Sequence, residues 1–206
     1  MDCVFCDRSQ FEERLCGETK DFWIIATLGQ ITDGGYVLLA PKRHVECVGA
    51  MREPEIDSLN ELLFKTRNAL INEYSNRGIV FEHGIVCQTI KHAHLHLLPG
   101  TIDTLNVLLR IVQDFPPQKY LFSTVPSLTN LQSMYKDKPL PYLLGQDIMD
   151  SGFVICWNPL APPQYLRIVV AEVLDRPERA NWRTMDPEFD KKLWSETVKR
   201  LKPYFK

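Results

Sequence analysis

The sequence has no apolar run long enough to span a bilayer as a helix, no internal repeat and no low-complexity tract. These absences exclude a helical membrane protein, a solenoid and a disordered linker. It also lacks an excess of basic charge: 24 Lys and Arg stand against 26 Asp and Glu, a formal net charge of -2. A broad polyanion-binding surface is therefore not expected, and RNA ranks below a small anionic ligand as a partner. The first residues, "MDCVFCDRSQFEER", carry acids and no apolar core, unlike a secretory signal, so a cytoplasmic location with no membrane association is expected. In that reducing setting six cysteines are thiols or metal ligands rather than a disulfide framework. Histidine is scarce, at five residues.

What is present is ordinary globular material, 45% hydrophobic and 24% charged, in 206 residues: one sizeable domain, or a domain with an appendage. Phe22 to Thr27 and Gly35 to Ala40 are β-branched and aromatic runs around the turn-prone Asp33-Gly34-Gly35, and read as neighbouring antiparallel strands. From Glu53 to Arg77, Ile56, Leu59, Leu63, Leu70 and Tyr74 recur at helical spacing, predicting an amphipathic helix on that sheet. Ile79 to Phe81 and Gly84 to Gln88 read as further strand. Prolines 116, 117, 126, 139 and 141 loosen the pattern and place a soft boundary. Beyond it, Gly152 to Trp157 reads as a strand, and Pro163 to Leu174 and Pro187 to Leu201 as helices, the first with Arg167 facing outward. The expectation is an α+β fold: an antiparallel sheet with a long helix on one face over 1–105, a connection over 106–140, and a small α/β extension over 141–206.

Three of the five histidines fall at alternate positions in "QTIKHAHLHLLP". On a strand, His92, His94 and His96 share one face about 7 Å apart while Ala93, Leu95 and Leu97 enter the core. A solvated polar face explains the alternation but not the choice of histidine at every polar position. Three imidazoles can ligate zinc, although ligands two apart on one strand reach a single ion only with backbone distortion. Alternatively a neutral ring nitrogen attacks phosphorus while its neighbours donate to the phosphoryl oxygens. Cys3-Val4-Phe5-Cys6 is a Cys-x-x-Cys, open to a redox role, to half a zinc site or to chance; His44 in "PKRH" and His92 would complete a Cys₂His₂ tetrahedron. His83, beside a glycine in "FEHG", reads as a structural or exposed loop residue.

"QTIKHAHLHLLP", with "GYVLLAPKRH" before the long helix, resembles the signature of the histidine triad (HIT) superfamily over roughly the first half of the chain. The resemblance implies a HIT-like sheet and a nucleotide substrate attacked at its α-phosphate by His94. His96 would hold the phosphate and protonate the leaving group, and Gln88 would touch the phosphate or leaving-group side. It also implies a structural Zn²⁺ on Cys3, Cys6, His44 and His92, as in zinc-containing members. The sequence departs from the family at Cys87, where many members have Gly, at Gly100, where many have Arg, and at Asp33-Gly34-Gly35-Tyr36, in place of a Pro-Gly-His type of turn. These departures bear on substrate identity more than on the chemistry.

The C-terminal stretch around Gln164-Tyr165, Ala171-Glu172-Val173-Leu174 and Asn181-Trp182-Arg183 more loosely resembles the corresponding region of CwfJ-like proteins, HIT relatives linked to RNA processing. Histidine at position 96 goes mostly with hydrolases in the family, so cleavage of a phosphoanhydride or phosphoramidate through a nucleotidyl-histidine is the leading expectation. A nucleotidyltransferase or phosphorylase using the same intermediate, and a non-catalytic nucleotide- or RNA-binding module, are the alternatives. HIT proteins are commonly homodimers, which makes a homodimer the assembly the resemblance implies.

Overall fold

The computed structural model describes residues 3–76, 78–100, 104–146 and 152–206. Strands β1 (Leu15–Glu18), β2 (Phe22–Ala26) and β3 (Val37–Pro41) form an antiparallel ladder, followed by helix α1 (Glu53–Tyr74). Pro54 lies in the first turn of α1, where a missing N–H costs nothing, and Glu55 accepts the Arg52 N–H at 2.8 Å. Strands β4 (Ile79–Glu82) and β5 (Leu95–Leu98) pair with each other, and β5 also pairs with β3. Next come α2 (Thr104–Asp114), β6 (Leu121–Val125), α3 (Leu128–Asp137), β7 (Tyr142–Gln146), β8 (Phe153–Trp157), α4 (Tyr165–Val173) and α5 (Pro187–Leu201).

Among the described residues, eight strands join one antiparallel sheet in the order β1-β2-β3-β5-β4-β7-β8-β6. The join between the two halves is β4 to β7, with Phe81 opposite Gly145 and Glu82 opposite Leu144. Both faces are covered. Ile56, Leu59 and Leu62 of α1, Leu131 of α3 and Leu201 of α5 meet Ile24, Leu39 and Leu95 on one side. Val107 and Ile111 of α2 and Leu166 and Val169 of α4 meet Ile25, Leu38 and Phe81 on the other. A sheet buried on both faces needs strands that are apolar throughout, and all five residues of β3 are buried.

Helix α1 covers one face of the sheet, as expected, and α2 and α4 cover the other. The stretch 106–140 holds most of α2, with β6 and α3, and β7 follows it. The structure corrects two expectations. Positions 84–87 form a turn instead of a strand, because Gly84 and Ile85 both adopt positive φ (46° and 82°) and the Val86 N–H closes on the His83 carbonyl at 3.0 Å. Arg167, read as outward, is 4% exposed. The α1 and α5 helices and the β2, β3 and β8 strands lie where the sequence places them.

The C-terminal half also grips the segment between β2 and β3. Asp190 of α5 accepts the N–H groups of Gly29 and Gln30, both at 2.9 Å, and Thr197 accepts the Gly35 N–H at 2.8 Å. Arg167 of α4 donates to the Gly29 carbonyl at 2.8 Å.

Candidate functional site

The histidine run only partly forms a strand: β5 begins at Leu95, and residues 92–94 precede it. The alternation nonetheless holds. Ala93, Leu95 and Leu97 enter the core beneath α1, and His94 and His96 face the opposite side of the sheet, their ring centres 4.8 Å apart. His96 stacks on Phe81 with centroids 4.4 Å apart and planes 11° from parallel.

The hydrogen bonds at the ring nitrogens set what each histidine can do. The His94 Nδ1–H donates to the His92 carbonyl at 2.6 Å, which leaves Nε2 with its lone pair. Burial, opposed by that bond and aided by the nearby His92 and Arg167 charges, pulls the His94 pKa down to about 4, so the ring is neutral near pH 7. Burial likewise holds His96 well below its ordinary value, with the His94, His83 and Arg167 charges acting in the same direction. His96 Nδ1 lies 2.7 Å from the Tyr36 hydroxyl, a phenol that burial pushes up to about 12 and so keeps protonated. A hydroxyl that donates to Nδ1 leaves the His96 proton on Nε2, a buried nitrogen with no partner among the described residues.

These rings open on a cavity of about 270 Å³. Phe5, Thr27 and Leu28 form part of its wall, His83, His94 and His96 another part, and Gln164, Arg167 and Trp182 of the C-terminal half face them. His83, which the sequence reading set aside, is 3% exposed; its Nε2 accepts the Leu166 N–H at 3.2 Å, so its ring proton sits on Nδ1. Gln88, expected to touch the substrate, does not line this cavity. Its amide donates to the Glu46 carbonyl at 2.9 Å, while Cys87 and Thr89 on either side line the cavity. A larger groove of about 710 Å³ beside α1 holds no histidine, and its Arg52 and Glu55 are paired with each other.

Cys3, Cys6, His44 and His92 come together at the edge of the same site, with every ligand atom within 4.8 Å of the others. The Cys3 Sγ to His92 Nδ1, Cys6 Sγ to His44 Nδ1 and Cys6 Sγ to His92 Nδ1 separations are 3.2, 3.4 and 3.6 Å. Tetrahedral zinc with bonds of about 2.1–2.3 Å sets its ligand atoms roughly 3.4–3.8 Å apart, so this donor set fits. His92 donates its other nitrogen, Nε2–H, to the Pro41 carbonyl at 2.8 Å, which turns the Nδ1 lone pair toward the sulfurs. Burial lowers the His92 pKa and keeps the ring in the neutral form that ligates. The Cys-x-x-Cys also carries Phe5 onto both triad rings, 5.6 Å from His92 and 5.2 Å from His94.

No family model matches the chain, and no curated protein matches it. Among solved structures, it is similar to a HIT family protein from Bacillus anthracis (26% identity over 48% of this chain and 72% of that one, TM-score 0.41). It is also similar to a zinc-bound histidine triad family protein from Mycobacterium smegmatis (22% identity, 48% and 75%, TM-score 0.42). A third is a HIT family hydrolase from Clostridium thermocellum (25% identity, 48% and 91%, TM-score 0.38).

Proposed function

We propose that the chain cleaves a nucleoside 5′-phosphoanhydride or phosphoramidate at the α-phosphate through a nucleotidyl-His94 intermediate. The observation that carries this reading is the His94 Nδ1–H bond to the His92 carbonyl two residues before it, which leaves a neutral ring with its Nε2 lone pair free beside the cavity. In the first step Nε2 bonds phosphorus as the bond from phosphorus to the leaving group breaks; the negative charge of the bound phosphate favours the doubly protonated His96 ring, the departing atom takes its Nε2 proton, and His96 is left neutral with its other proton on Nδ1 facing the Tyr36 oxygen. In the second, water attacks phosphorus, the P–N bond breaks, and the water's proton returns to His96. Tyr36 holds His96 in the orientation that both steps require.

A zinc ion on Cys3, Cys6, His44 and His92 would supply structure, not chemistry. It would tie the N-terminal segment, and with it Phe5, to the residues that carry His94. Gln88, whose Oε1 is buried without a partner among the described residues, would act from behind the wall on the residues that contact substrate.

The test is intact-protein mass and product analysis after mixing wild-type and His94→Gly protein with adenylylated, uridylylated and guanylylated substrates. A nucleotidyl mass increment or turnover in wild type alone is the expected result. Release to water identifies a hydrolase, and release only to phosphate or a sugar phosphate identifies a transferase. Absence of both adduct and turnover with every substrate would leave a nucleotide- or RNA-binding module.

A further inference from the structure

Arg167 is a cation buried without an anion. It is 4% exposed, its Nε donates to the Ala180 carbonyl at 3.3 Å and its Nη2 to the Gly29 carbonyl at 2.8 Å, and its guanidinium lies 5.2 Å from the centre of the Tyr36 ring. No carboxylate among the described residues pairs with it. Two neutral carbonyls and the ring and hydroxyl of Tyr36, all uncharged, offset only part of the cost of removing a full charge from water.

The cavity that Arg167 lines makes the imbalance larger. Arg14, the other cation in the wall, also bonds only backbone carbonyls, those of Ala26 at 3.0 Å and Gln10 at 3.4 Å. Among the described residues no Asp or Glu lines the cavity, and its other polar groups include His83, His94 and His96. A concave wall with two cations and no acid among the described residues concentrates positive potential on whatever occupies it. Asp190, behind the wall, accepts two backbone N–H groups and its charge acts on Arg14 rather than Arg167, while Asp33 pairs with Arg176 and Arg179 on the surface.

The geometry points to Arg167 as a substrate ligand, a guanidinium that the C-terminal helix α4 delivers to the phosphoryl group held at His94 and His96. This rests on the nucleotide reading above, and it makes the C-terminal half part of the binding site rather than a cover over the sheet. Guanidinium suits the role because it stays charged when buried and its planar donors match a phosphoryl group.

The test compares the affinity of full-length wild type, Arg167→Gln and Arg167→Lys for the four nucleoside 5′-monophosphates and for the matching nucleosides. Wild type should prefer the monophosphate. In Arg167→Gln that preference should fall roughly 10- to 100-fold, the value of a charged hydrogen bond, with nucleoside affinity unchanged. Arg167→Lys, which keeps the charge and loses the fork, should lie between. An unchanged preference in Arg167→Gln would overturn the assignment, as would no preference in wild type. So would an equal loss for nucleoside and monophosphate, the mark of an arginine that only holds the Gly29 and Ala180 backbone in place. The reaction is read separately: a His94 adduct with an unchanged preference would sink the arginine role alone, and a collapsed preference without any adduct would sink the reaction alone.

Discussion

Glu82 offers a direct measurement of how the two halves of the sheet are joined. Its side chain is fully buried at the β4 to β7 junction, accepting the Tyr142 O–H at 2.6 Å and the Val48 N–H at 2.8 Å. Burial outweighs both bonds and pushes its pKa up to about 7 from an ordinary 4.5. Because the folded state holds this proton more tightly than the unfolded chain, the contribution to stability is fully present below about pH 4.5 and lost as pH rises through about 7. At about 1.36 kcal/mol per pKa unit, the loss between pH 5 and pH 8 works out to about 2–3 kcal/mol. Tyr142 and Cys47 beside it stay protonated over this range, since burial holds Tyr142 well above its ordinary value and lifts Cys47 to about 12. Glu82→Gln removes the ionisation and keeps an oxygen for one donor. Urea unfolding of both proteins at pH 5 and pH 8 isolates the effect, because all other titrating groups are shared. The two proteins should be about equally stable at pH 5, and the variant should gain on wild type by about 2–3 kcal/mol at pH 8. Parallel pH profiles would refute the reasoning.

Further outcomes follow from the site. Tyr36→Phe removes the hydroxyl at His96 Nδ1 and should lower kcat by roughly 10- to 100-fold with little change in KM, measured on the substrate the adduct experiment identifies. Metal analysis of the purified protein should find one zinc per chain, and Cys6→Ala should lose it together with a large part of the thermal stability; a zinc-free wild type of undiminished stability would exclude the site. Gly29→Ala meets two obstacles, since φ is +72° there and the added Cβ collides with Trp182 and with Arg167 Nη2. It should destabilise the fold by at least about 1–2 kcal/mol, read as a lowered Tm.

The sequence carried the N-terminal part of the site well because local physics dominates there. Alternation alone sends Ala93, Leu95 and Leu97 to the core and His94 and His96 to the other face, and the Cys3, Cys6, His44 and His92 set converges in space as the zinc reading requires. What the sequence did not display was the far wall. Arg167 sits in a helix that buries Tyr165, Leu166, Arg167, Val169, Val170 and Ala171, so nearly its whole circumference is covered and no clean amphipathic stripe marks the inward side. A charged residue is ordinarily read as solvated, and only the long-range bond to Gly29, 138 positions away, gives its true place. The one local signal was the surrounding density of apolar residues, which leaves Arg167 little water to face. His83 was hidden by a different cause. Its burial depends on Phe81 and His96 from the sheet and on the Leu166 N–H of α4, none of which the "FEHG" context announces.

The grip of α5 on the segment between β2 and β3 has a consequence for how the protein matures. Gly29, Gln30 and Gly35 receive their partners from residues 190 and 197, close to the last described turn of helix. A ribosome that has released the histidine run, the cysteine pair and β1 to β5 has therefore made the histidine face but not the anchor of the segment between β2 and β3, from which Thr27 and Leu28 join the cavity wall. On the proposed function, nucleotide binding should emerge late during synthesis, once α5 has docked, and a chain truncated before α5 should bind nucleotide poorly.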